Sequence, residues 1–136
     1  MRGIIAFLLG TAAATGFALA QDVPEQAPPP APFAQVSSLV SLPDFIPGLG
    51  TLYVDPATLP AGPFLAYDHD GKLSATVYMP PFDELEKGTA YENLAVGNQT
   101  VTSVDILYNP GHPGIEKPHA HVILYHDDAA RDRLAE

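Results

Sequence analysis

The chain has 136 residues, a formal net charge of −10, 15 prolines, 11 glycines and no cysteine. That length suits one domain. The excess of acid disfavours nucleic acid or an anionic membrane as partner, because both need a basic patch. Without cysteine, stability must come from a core, and any metal site must use nitrogen and oxygen ligands.

The first twenty residues, MRGIIAFLLGTAAATGFALA, place Arg2 before an apolar run from Ile4 to Leu9. Small residues follow, and Ala18-Leu19-Ala20 fits a small-x-small cleavage site. This is the pattern of a secretory signal peptide spanning 1–20. The rival is an uncleaved anchor, a poor match because Gly10, Thr11, Thr15 and Gly16 interrupt the run. Cleavage after Ala20 would leave 5 basic and 16 acidic side chains, a net charge of −11. The expected setting is periplasmic or extracellular, with no membrane contact after cleavage. Residues 21–35, QDVPEQAPPPAPFAQ, are rich in Pro, Ala and Gln and read as an extended linker.

A β-rich domain is expected over 36–128. SLVSLPDFIPGLG is broken by Pro43, Pro47, Gly48 and Gly50 and reads as loops with at most one short strand. Thr51 to Val54 is strand-like. GPFLAYDHDGKLSATVYMPP carries β-prone residues on both sides of a turn ending in Gly71, a hairpin signature. In PPFDELEKG, Pro80 and Pro81 precede Asp83 and Glu84, and Gly88 can end a short helix. QTVTSVDILYN and PHAHVILYH supply two further strands. Residues 129–136 form a tail or a short helix begun by Asp127 or Asp128. The sum is a mainly β fold, a small antiparallel β-sandwich or barrel with one or two short helices.

Four of the five histidines fall within fifteen residues, His112 to His126. Side chains alternate along a strand, so His119 and His121 share a face and His126 takes the other. On the preceding strand Val104, Ile106 and Tyr108 form one face; Asp105 and Leu107 form the other. Matching apolar to apolar puts Tyr108 across from Pro118, Ile106 from Ala120 and Val104 from Val122. Asp105 then lies opposite His121, and His112 can fold over from the connecting loop. His112, His119, His121 and Asp105 are therefore the expected metal ligands. Neutral imidazole with carboxylate oxygen suits Zn, Fe, Mn or Cu. The plainer alternative is a polar face on which Asp105 only hydrogen-bonds a histidine.

Other constellations fail on spacing. DHDG at 68–71 resembles the start of a calcium loop, but the twelfth position is Met79 and not Glu. No G-x-S-x-G, phosphate-binding glycine loop or cysteine nucleophile occurs. HAHVILYH faintly echoes the first cupin motif, yet only ten residues follow His126, too few for the second.

The run YNPGHPGIEKPHAHVILYH resembles the signature of the TTHB210-like domain family (DUF5602), small exported bacterial proteins of unknown function. Its end motif reads roughly N-P-x-G-H-x-P-x-G-V-Y-x-x-P-H-F-D-x-H-F-Y. Asn109 to Pro113 match the first part; Gly114, Ile115, Pro118, His119 and Tyr125 match the second. LPAGPFLAYDHDGKLSATVYM is similar to the family's earlier hairpin, so the likeness spans about 59–125. Ala120-His121 departs from the family's Phe-Asp, and Ile123 stands where a second His is usual. The resemblance implies an exported β-rich domain and a homo-oligomer, and supplies no established reaction. Three readings stand: a domain binding a metal ion or small polar ligand, a metal-dependent enzyme acting on a small molecule, and a structural or oligomerising envelope protein.

Overall fold

The computed structural model describes residues 23–97 and 99–136. The expected leader and the first two linker residues lie outside the described residues. Six strands form one antiparallel sheet in the order β1-β2-β3-β4-β6-β5. They are β1 (Ala34–Gln35), β2 (Thr51–Val54), β3 (Phe64–Tyr67), β4 (Leu73–Tyr78), β5 (Ser103–Asn109) and β6 (His119–Tyr125). Among the described residues two short α-helices accompany them, α1 (Phe82–Glu86) and α2 (Ala130–Leu134). The expected small, mainly β antiparallel domain with short helices is what forms. Among the described residues no helix is long and apolar enough to cross a membrane.

The β3–β4 hairpin closes as its sequence requires. The Asp68 carboxylate accepts from the Asp70 and Lys72 amides at 2.9 Å each, and Gly71 takes φ +78°. That positive φ is nearly free for glycine and strained for other residues. Lys87 caps helix α1, and Gly88 after it also takes a positive φ.

One face of the sheet holds the main core. Leu52, Val54, Phe64, Val77, Ile123 and Tyr125 pack beneath Val36, Leu49 and Ile115 from loops and Ala130 and Leu134 from α2. Leu134 is fully buried, and its carbonyl accepts from the Gly48 amide. On the other face Leu65, Tyr67 and Leu73 meet Val23, Ala27 and Phe33. The Pro/Ala-rich stretch thus lies against the sheet from Val23 onward. The Leu73 amide donates to the Glu25 carbonyl, the Ala27 amide to Gly71 and the Tyr67 hydroxyl to Pro24. Its extended backbone supplies the carbonyls, and its few apolar side chains fill the space above Tyr67.

The sidedness of the β5–β6 pair differs from the expectation. Val104, Ile106 and Tyr108 should have been the buried face. They are exposed instead, Ile106 at 72% and Tyr108 at 67%, while His119 and His121 lie on the core side at 0% and 7%. Alternation correctly separates the two faces. Which face is covered depends on distant segments, here Val36, Leu49, Ile115 and Leu134, that a two-strand pattern does not contain.

Candidate metal centre

Three histidines converge at one end of the core face. His119 and His121 stand at i and i+2 on β6, so the pleat aims both rings the same way. The first is enclosed because the chain leaving β4 continues along the start of β6. The Ala120 amide donates to the Pro80 carbonyl, and Pro81 bridges His119.

His112 arrives through the loop NPGHPGI. The Asn109 side-chain oxygen accepts from the Gly111 amide at 2.8 Å, starting the turn. His112 and Ile115 then exchange both backbone hydrogen bonds at 3.0 Å around Pro113-Gly114. Pro followed by a glycine at φ +96° is the type II turn pattern. Gly111, at φ +133°, lies so close to the Glu116–Lys117 backbone that an added Cβ would sit 3.1 Å from the Glu116 carbonyl carbon. Ile115 plugs the core and anchors the loop, which lays His112 over β6.

The result is a triangle of Nε2 atoms. His119 to His121 is 3.0 Å, His112 to His119 is 3.1 Å and His112 to His121 is 3.3 Å. Backbone carbonyls decide two of the tautomers. His119 Nδ1 is 2.8 Å from the Lys117 carbonyl and His112 Nδ1 is 3.0 Å from the Pro113 carbonyl. A carbonyl can only accept, so each Nδ1 carries a proton, and in the neutral ring Nε2 is the nitrogen that presents a lone pair. The lone pairs of His112 and His119, 3.1 Å apart, repel unless something positive lies beside them, either a proton on His121 Nε2 or a metal ion. Burial lowers the pKa of His119, and lowers that of His121 to about 4, with the neighbouring rings contributing after desolvation. Both are therefore neutral imidazoles at pH 7, the form that binds metals.

The geometry fits a transition-metal ion. Ligands about 2.0–2.1 Å from zinc stand about 3.3–3.4 Å apart in a tetrahedron and about 2.9 Å apart on one face of an octahedron. The observed separations fall across that range. The carbonyls holding both Nδ1–H groups are the partners that orient metal-binding histidines. These three side chains could hold a metal ion.

Asp105 does not join them. The pairing runs Tyr108 with Ala120, Ile106 with Val122, Asp105 with Ile123, Leu107 with His121 and Asn109 with His119. This is a slip of two residues from the expected register. A slip of two keeps every side chain on its own face, so matching apolar faces cannot detect it. Asp105 instead accepts from Arg131 and, at 3.0 Å, from the Tyr125 hydroxyl. Arg131 holds its pKa below the usual carboxylate range. Arg131 lies in α2, beyond the reach of any two-strand argument.

His126 is apart on the opposite face, as alternation requires, with Nδ1 2.7 Å from the Thr100 carbonyl and Nε2 2.8 Å from the Thr76 hydroxyl. His69 stacks on Phe45, 3.6 Å between ring centroids. Sequence reasoning missed Asn109, which starts the His112 turn and pairs with His119. Its place in NPG, where Asn and Gly favour turns, was the available signal. It also missed a cleft of about 370 Å3 between the loops and the sheet, whose wall includes His112 and His121.

Among solved structures the chain is similar to the hypothetical protein TTHB210 from Thermus thermophilus. Identity is 43%, covering 70% of this chain and 89% of that one, with a TM-score of 0.59. No family model matches the chain, and no curated protein matches it.

Proposed function

This chain belongs to the family of the TTHB210 protein, and we propose that it binds one divalent transition-metal ion through Nε2 of His112, His119 and His121. The observation that carries the proposal is the Nε2 triangle, 3.0–3.3 Å on a side, with two Nδ1 protons committed to backbone carbonyls. All-imidazole ligation selects Zn, Cu, Fe or Ni over Mg or Ca. Three protein ligands leave a fourth position for water or another ligand. Export through the leader pattern at 1–20 belongs to the same reading, and a mature N-terminus at Gln21 would support it.

The test is metal content by mass spectrometry on protein purified without a histidine tag. The expected result is one ion per chain, lost in His119→Ala. Substoichiometric metal after equilibration with zinc, or equal uptake by the variant, would overturn the proposal.

A second part concerns self-association. Among the described residues strand β5 has a strand partner on one side only, and it exposes Val104, Ile106, Leu107 and Tyr108. An open edge seven residues long, four of them exposed apolar or aromatic residues, suits pairing with another strand. We take the occupant to be β5 of a second copy, running antiparallel. Ile106→Lys should halve the mass seen by light scattering if the unit is a dimer. An unchanged mass, or a monomeric wild type, would remove this part.

A further inference from the structure

We infer that the fourth position of the proposed ion is built for the anionic head of a small amphiphile, a carboxylate with an apolar body; this rests on the metal reading above. The wall of the cleft that reaches the site is almost wholly apolar. Leu39, Val40, Ile46, Phe64 and Met79 contribute to it, and its polar side chains are Asn109, His112 and His121. No Asp, Glu, Lys or Arg lines it among the described residues. A dication held by three neutral imidazoles keeps its full double charge, and nothing on the cleft wall neutralises it. Charge complementarity therefore calls for an anion at the open position. The surrounding wall calls for a hydrocarbon body behind that anion, since apolar surface gains by leaving water.

Asn109 adds orientation. Its side-chain oxygen accepts from the Gly111 amide, which leaves the Nδ2 group of this cleft-lining residue able to donate. That group can take the second oxygen of a carboxylate. At about 30 Å3 per water-sized group, a cleft of about 370 Å3 holds roughly a dozen non-hydrogen atoms. An eight-carbon monocarboxylate is within that size.

The test uses the whole protein loaded with cobalt(II), whose visible bands report coordination. Titration with octanoate should shift the bands, with affinity at least ten-fold tighter than acetate, which has the head without the body. Octanol, which has the body without the anion, should bind at least ten-fold more weakly than octanoate. Leu39, exposed on the cleft rim, is replaced in Leu39→Gln, a neutral polar side chain of similar size, without opening the core. That variant should take up cobalt normally, bind acetate as before and lose five-fold or more in octanoate affinity. Cobalt uptake with octanoate no tighter than acetate, or no tighter than octanol, overturns this inference and leaves the metal reading standing. An unchanged octanoate affinity in Leu39→Gln overturns it too. Failure to take up cobalt overturns both.

Discussion

Replacing His126 with Phe separates structural from ligating histidines in this short run. The ring is buried, and both its nitrogens are used: Nδ1–H donates to the Thr100 carbonyl at 2.7 Å, and Nε2 accepts from the Thr76 hydroxyl at 2.8 Å. Burial lowers its pKa, so the neutral form is the one the fold holds. Phenylalanine keeps the approximate volume and supplies neither partner. The Thr76 hydroxyl, in a residue 2% exposed, is then stranded, at a cost of about 1–3 kcal/mol. The Thr100 carbonyl belongs to an exposed residue and loses less, because water can replace the ring. The expected total is about 2–3 kcal/mol. Urea unfolding followed by circular dichroism should show the midpoint falling by about 1 M, given slopes of about 1–3 kcal/mol per M. Metal content should not change, since His126 lies across the sheet from the triangle. An unmoved midpoint would refute the hydrogen-bond argument. Metal loss comparable to that of His119→Ala would refute the assignment of faces.

Other perturbations have equally definite outcomes. In chelated protein the His121 pKa, lowered from 6.5 to about 4, makes the unfolded state bind more protons as the medium acidifies. That contribution is fully present above pH 6.5 and is lost progressively as pH falls to about 4; for this one ring it is about 3 kcal/mol. A thermal melt series over pH 7.5 to 4 should show the decline, and zinc should shift its onset to lower pH. Leu134→Ala, which empties a fully buried site in α2, should destabilise by about 2–5 kcal/mol in urea titration; a loss below about 1 kcal/mol would mean that α2 is not part of the core. Asp105→Asn should leave metal content unchanged, because the carboxylate serves Arg131 and Tyr125; metal loss would restore the sequence-based register.

The elements were largely legible in the sequence because each carries its own local signal. Asp68 to Gly71 announces a turn, Pro81 and Gly88 bracket α1, and alternation separates His119 and His121 from His126. Three of the four expected ligands come together for that reason, along with the NPGHPG turn that returns His112 to β6. What escaped depends on non-local facts. The β5–β6 register was ambiguous by two residues, and the choice that placed Asp105 beside His121 had no information about Arg131. Ile106 and Tyr108 look like core by composition, yet the chain covers the opposite face. Leu134 lies outside the domain boundary read at 128, and only its burial against Gly50 and the sheet reveals its role.

The most direct measurement is anomalous diffraction from crystals equilibrated with zinc. One strong peak is expected, bonded to Nε2 of His112, His119 and His121 at about 2.0–2.1 Å from each. A peak elsewhere, or density showing two of these rings turned away from a shared centre, would contradict the proposed metal site.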